Sequence, residues 1–180
     1  MSQTNLYTVT IPPMIKGLTA LSTILDKAES FAEAHKLSWM SFDEALLNDR
    51  IVFTQFPFVR QVQLACDHAK GGAGRLAQVE VPKHEDTEKT FAELKARIAK
   101  TLEFVQSIKP EQVIGKEDIS VTLAFFPDKY LTGFDYAIEY LMPNFMFHLT
   151  TAYSILRKNG MEIGKVDFVG TMPFKELAKA

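Results

Sequence analysis

Four long stretches of this chain repeat apolar residues at spacings of three and four, and each is bounded by proline or glycine. Residues three or four apart return to the same side of an α-helix. Each stretch therefore presents one apolar stripe that must be buried against a neighbour. The first is predicted to follow Pro12-Pro13 and run to about His35, with Leu18, Leu21, Leu25, Ala28 and Ala32 as its stripe; proline suits a first turn, where its missing N–H has no partner. The second begins at Pro57 and runs to about Gln78, with Val59, Val62, Cys66, Ala69, Ala73 and Leu76 inward. Gly71, Gly72 and Gly74 lie inside it at about 1 kcal/mol each against alanine, which points to close helix contact or a kink. The third is capped by Asp86 or Thr87 with Glu88 in its first turn, buries Phe91, Leu94, Ile98, Thr101 or Leu102, Val105 and Ile108, and stops at Pro110. The fourth runs from about Phe134 to Lys158. Ile138, Leu141, Phe145, His148, Ala152 and Ile155 line it, Pro143 kinks it, and Asn159-Gly160 ends it.

Smaller elements fill the connections. Ser41 is a good N-cap for a short helix over Phe42 to Leu47. Ile119 to Phe126 alternates like a strand, with Val121, Leu123 and Phe125 on one face. Pro127-Asp128-Lys129 reads as a turn into Tyr130-Leu131-Thr132, which makes a hairpin between the third and fourth helices. Gly164 to Gly170 is predicted to be extended. The 180 residues fit one domain spanning 1–180, a mainly α four-helix bundle. Apolar residues make up 47% of the chain, enough to build its core.

The net charge of -2 and the absence of a Lys/Arg run exclude a nucleic-acid-tracking surface. Met1 to Leu6 has neither the basic nor the apolar region of a signal peptide, and the single Cys66 forms no intrachain disulfide. A cytoplasmic protein is the expectation. The longest apolar stretches read as too short for a membrane span; Tyr136 to Leu149 comes nearest, broken by Glu139, Pro143 and Asn144. HExxH, CxxC, GxSxG, Walker and GxGxxG motifs are all absent.

His148 is the residue that stands out. It lies on the apolar stripe of the fourth helix, with Asn144 one turn before it on the same side. A polar pair facing the middle of a bundle is where such folds place metal ligands or polar ligand contacts. A core histidine bonded to a buried polar group is the other reading. On the second helix Gln63, Asp67 and Lys70 share a flank. Asp67 is the candidate partner of His148, and Gln63 and Lys70 are candidates for lining a ligand pocket; a solvated helix side with an ordinary Asp67–Lys70 pair is the alternative. His68 points about 100° away from Asp67, so the two do not share a centre. His35 and His84 read as surface residues and Cys66 as an inert core thiol.

The run Met142-Pro143-Asn144-Phe145-Met146-Phe147-His148-Leu149-Thr150-Thr151-Ala152-Tyr153, with Ile155 to Gly160, resembles an uncharacterised, mainly microbial family of the DinB/YfiT-like superfamily. So do Phe56 to Gln63, Ala69-Lys70-Gly71, Val81-Pro82 and Asp86-Thr87-Glu88. The resemblance covers about Leu6 to Gly170. It implies a four-helix bundle, often a homodimer. Many members of the superfamily hold a divalent metal with one histidine from the second helix and two, four apart, from the fourth; several are thiol-dependent transferases. His148 matches the last of those histidines. Asn144 stands where the first of the fourth-helix pair belongs, and Gln63 or Asp67 where the second-helix one does. Asn144 is a poor ligand for zinc or nickel, which prefer imidazole and thiolate. The expectation is a bundle with a degenerate metal site that binds a small ligand or serves a structural role. The alternative is a divergent metal-dependent enzyme using Asp67, Asn144 and His148.

Overall fold

A computed structural model describes residues 4–37 and 39–177, with backbone alone for 39–41. Helix α1 covers Leu6–Ala34 and α2 covers Trp39–Leu47. Helices α3 (Phe58–Ala77), α4 (Phe91–Ser107) and the short α5 (Pro110–Val113) follow. Strands β1 (Ser120–Leu123) and β2 (Phe126–Thr132) then form an antiparallel hairpin. The chain continues through α6 (Gly133–Asp135), a π-helical segment (Tyr136–Leu141) and α7 (Met142–Lys158), and closes with α8 (Lys165–Val169).

The expected bundle is present: α3 packs between α4 and α7, and α1 closes the square against the same two helices. The predicted stripes are its core, except that Ile138 of the fourth is exposed, because the π-helical turn shifts the face it presents, and Val59 of the second is only partly buried. Leu18, Leu21, Leu25, Val62, Cys66, Ala73, Leu94, Ile98, Phe145 and Ile155 are all fully buried.

The first helix begins six residues before Pro12. Asn5 accepts from Thr8 N–H and Thr8 returns the bond, a capping box that starts the helix early. Pro12 and Pro13 thus sit inside α1 and remove two ladder donors. At 29 residues and a mean hydropathy of 1.2 over its best window, α1 is also long and apolar enough to cross a membrane, contrary to the expectation from the sequence. Its apolar side instead packs on α3, α4, α7 and α8.

Four smaller readings change. Ser41 lies within α2, not before it. The cap of α4 is Thr90, whose side chain takes Glu93 N–H while Glu93 reaches back to Thr90 N–H. The hairpin turns at Ala124-Phe125, so Phe125 is exposed rather than inward; Leu123 pairs with Phe126 and Thr122 with Tyr130, leaving Pro127, Asp128 and Lys129 in a bulge, where a proline without an N–H is tolerated. Residues 165–169 are helical, because Asp167 caps Gly164 N–H and pairs with Lys27 of α1.

The last helix needs its π-helical turn. Pro143 cannot donate to the turn before it, and its ring crowds the carbonyl four residues back. The wider turn at Tyr136–Leu141 absorbs that conflict. Gly72 of α3 lets this wide turn come close: a Cβ at Gly72 would lie 2.3 Å from Leu141 Cδ1.

Candidate functional site

Helix α3 carries two polar faces. One turns to α4. There Arg97, with a side chain only 2% exposed, donates to Asp67 at 2.8 Å and to Glu88 at 2.9 Å, lies 3.0 Å from Asp86 and also binds the Glu85 carbonyl. Lys70 sits 3.2 Å from Asp67, Gln63 donates to Glu88 at 2.8 Å, and Arg60 bonds Gln63 and Asp86. The three sequence candidates on α3 thus stand together, but in this charged cluster. It ties the connector after α3 to α4. Arg97 and Gln63 hold the Glu88 carboxyl below its ordinary range against the opposing effect of burial. A groove of about 820 Å³ runs beside it, lined by residues that include Lys83, His84, Arg97 and Lys100. His84 is half-buried in the groove wall, not on the open surface, and its Nδ1 has no partner among the described residues.

The other face turns to α7 and is built of neutral groups. His148, 8% exposed, donates from Nδ1 to Gln61 Oε1 at 2.8 Å. The Gln61 amide is itself fixed, since its Nε2 donates to the Phe56 carbonyl at 2.9 Å. The ring of His68 lies nearly parallel to that of His148, with centroids 5.4 Å apart and planes 14° apart. Tyr140 meets His68 edge-on at 5.8 Å, Tyr136 stacks on Tyr140 at 5.8 Å, and Phe147 meets His148 edge-on at 5.3 Å. A column of rings thus fills the seam between α3 and the last helix. The Tyr136 hydroxyl accepts from Arg75 at one end. Among the described residues, His148 Nε2, both nitrogens of His68 and the Tyr140 hydroxyl make no hydrogen bond. Burial, with His68 and Arg60 nearby, pulls the His148 pKa down to about 4, and burial lowers that of His68 as well. Both rings are therefore neutral at pH 7.

The structure brings His148 to Gln61 and His68, and does not bring Asp67 or Asn144 to it. Asp67 is engaged by Arg97 and Lys70. The Asn144 amide donates to the Tyr140 carbonyl at 2.7 Å, an acceptor within the π-helical segment. Among the described residues no three His, Cys, Asp or Glu side chains gather in a way that could hold an ion. The residues do not fit the three-ligand metal centre that the superfamily implies. Cys66 is an inert thiol: burial raises its pKa to about 12.

Gln61 and His68 were missed from the sequence. Their spacing of seven, two helical turns, places both on one face, and that spacing was the available signal.

No curated protein matches the chain. A crystal structure of a DinB family member protein from Shewanella denitrificans is similar to it, with 45% sequence identity, a TM-score of 0.88 and 96% of each chain covered. The family model described as domain of unknown function (DUF1993) matches residues 6–169, and with the DinB-like bundle it shows that the chain belongs to this family.

Proposed function

We propose that this DinB-like bundle binds a small organic ligand at the seam of α3 and α7, on the ring column of His148, His68 and Tyr140. One observation carries the reading: neighbouring side chains there hold unused hydrogen-bonding capacity with no third metal ligand beside them. The unbonded ring nitrogens and hydroxyl reach solvent at the edge of the seam, where a ligand can replace water on them. In the charged cluster around Arg97 the carboxylates are already paired, and the unpartnered atoms are donors or ring nitrogens of its own frame, Arg97 Nε and His84 Nδ1. No reaction class follows from the geometry.

The test is elemental mass spectrometry on untagged protein purified without chelators, before and after soaking in zinc, nickel or manganese. The expected content is below about a tenth of an ion per chain, equal in His148→Ala, because an ion held without a full ligand set is lost on purification. About one ion per chain, lost in His148→Ala, would overturn the reading and restore a metal-dependent activity. We also propose a homodimer, supported by exposed Phe125, Tyr130 and Phe134 on the hairpin and the helix after it. A monomer mass in light scattering at micromolar concentration would overturn that.

A further inference from the structure

We propose that the ring column at Phe147, His148, His68 and Tyr140 selects a neutral aromatic molecule carrying a hydrogen-bond donor, with phenol as its simplest member. This rests on the ligand-binding reading above and names the chemistry of the ligand.

Polarity comes first. The Phe56 carbonyl accepts from Gln61 Nε2, which orients the Gln61 amide and leaves its oxygen against His148 Nδ1. An amide oxygen only accepts, so Nδ1 carries the proton, and Nε2 of the neutral ring is left as an acceptor. This two-bond relay starts from a backbone carbonyl and fixes the tautomer without any titratable partner. The ligand must supply the donor.

Shape comes second. Two imidazoles lie nearly parallel, and a phenyl and a phenol ring meet them edge-on. A further ring joins such an array at centroid separations of about 4.5–7 Å. Phe147, which meets His148 edge-on, is 53% exposed, so the rim offers apolar area.

Charge comes third. No carboxylate pairs with the column. Arg60, the cation that bears on His148, is bonded to Asp86 and Gln63, and Arg75, which also bears on His68, is bonded to the Tyr136 hydroxyl. An ionised ligand would leave water with no salt-bridge partner among the column's own side chains.

The experiment is 15N NMR of the histidine rings in the full chain at pH 7, titrated with phenol, anisole and benzoate. The free protein should show His148 as the Nδ1–H tautomer. Phenol should move the His148 Nε2 signal saturably. Anisole, the same ring without a donor, should bind at least about tenfold more weakly, or about 1.4 kcal/mol, and benzoate more weakly than phenol. Phe147→Ala changes an exposed side chain and should weaken phenol several-fold with the fold intact. An Nε2–H tautomer, no saturable shift with millimolar phenol, equal binding of phenol and anisole, or tighter binding of benzoate would each overturn the proposal. Equal binding of phenol and anisole removes the donor requirement and leaves a ligand site. One metal ion per chain removes the site reading itself.

Discussion

On the side of α3 that faces α4, Asp67, Glu88 and Asp86 surround Arg97; on the side that faces α7, Gln61 and His68 meet His148 with no formal charge between them. Both regions are polar and at least partly buried, yet they differ in what remains available. Each carboxylate of the first has a cationic partner, and removing that partner would strand a buried charge. The second leaves lone pairs unused. A charged cluster of this kind fastens a loop, whereas a neutral cluster with spare capacity can receive a ligand.

The sharpest way to break the contrast is Arg97→Ala. It leaves Glu88, whose side chain is 9% exposed, with the neutral Gln63 amide and no cation, and Asp67 with Lys70 alone. Loss of one partner from a buried ion pair costs about 3–5 kcal/mol, and urea unfolding at pH 7 reads it directly. His148→Phe leaves the Gln61 oxygen without its donor and should cost about 1–3 kcal/mol. Equal losses would mean that both faces are structural.

Acid separates the faces by pH. The His148 pKa falls from 6.5 to about 4 on folding, so between those values the unfolded chain binds a proton that the native chain refuses. Stability therefore rises with pH from about 4 to 6.5 and is flat above. At about 1.36 kcal/mol per unit, the change is about 3 kcal/mol. His68 and His84 are lowered too and act in the same direction. Glu88 is held below its ordinary 4.5, so its contribution is present above that value and is lost as pH falls through the lower folded one. His148→Gln should flatten the stability curve above pH 4.5, and Glu88→Gln below it. Identical curves for the two variants would contradict the division.

Gly72→Ala probes how the neutral face is held. The new Cβ would meet Leu141 at 2.3 Å, inside the π-helical turn that also carries Tyr136 and Tyr140. Overpacking of this kind costs about 1–3 kcal/mol. The histidine ring signals should shift in this variant and stay in place in one made at the charged face.

The bundle was legible because apolar period and breakers act locally: the four stripes name most of the buried residues, and miss at Ile138, where the π-helical turn breaks the period. Its ends were less so. Asp86, Thr87 and Thr90 are all competent caps, and the choice fell to Thr90 because Glu93 completes a box with it while Glu88 is drawn to Arg97. His148 was legible as a polar residue on an apolar stripe. Its partner was not, since neighbouring residues on a helix differ by about 100°. The stripe says which side is inward but not which flank meets which neighbour, so Asp67 and His68 could not be told apart until α4 and α7 took their places.

Asn144 tests what remains of the three-ligand pattern. It is one turn from His148, and by sequence the two form a pair. Its amide nevertheless donates to the Tyr140 carbonyl, within the wide turn beside Pro143, which has no N–H to give. Asn144→Ala removes that bond at a half-buried position where water can replace it, so the loss should be about 0.5–1 kcal/mol, the smallest of the set. The Nδ1–H tautomer of His148 should persist, because Gln61 and Phe56 fix it from the other helix. Asn144→His is the stronger form of the same test. It restores imidazoles four residues apart on the last helix, with His68 across the seam. Zinc uptake by that variant, against none in the parent, would place the boundary between a metal centre and a ligand seat at this one residue. No uptake would mean that the relay from Phe56 through Gln61 holds the His148 ring in an orientation that a second histidine cannot recruit.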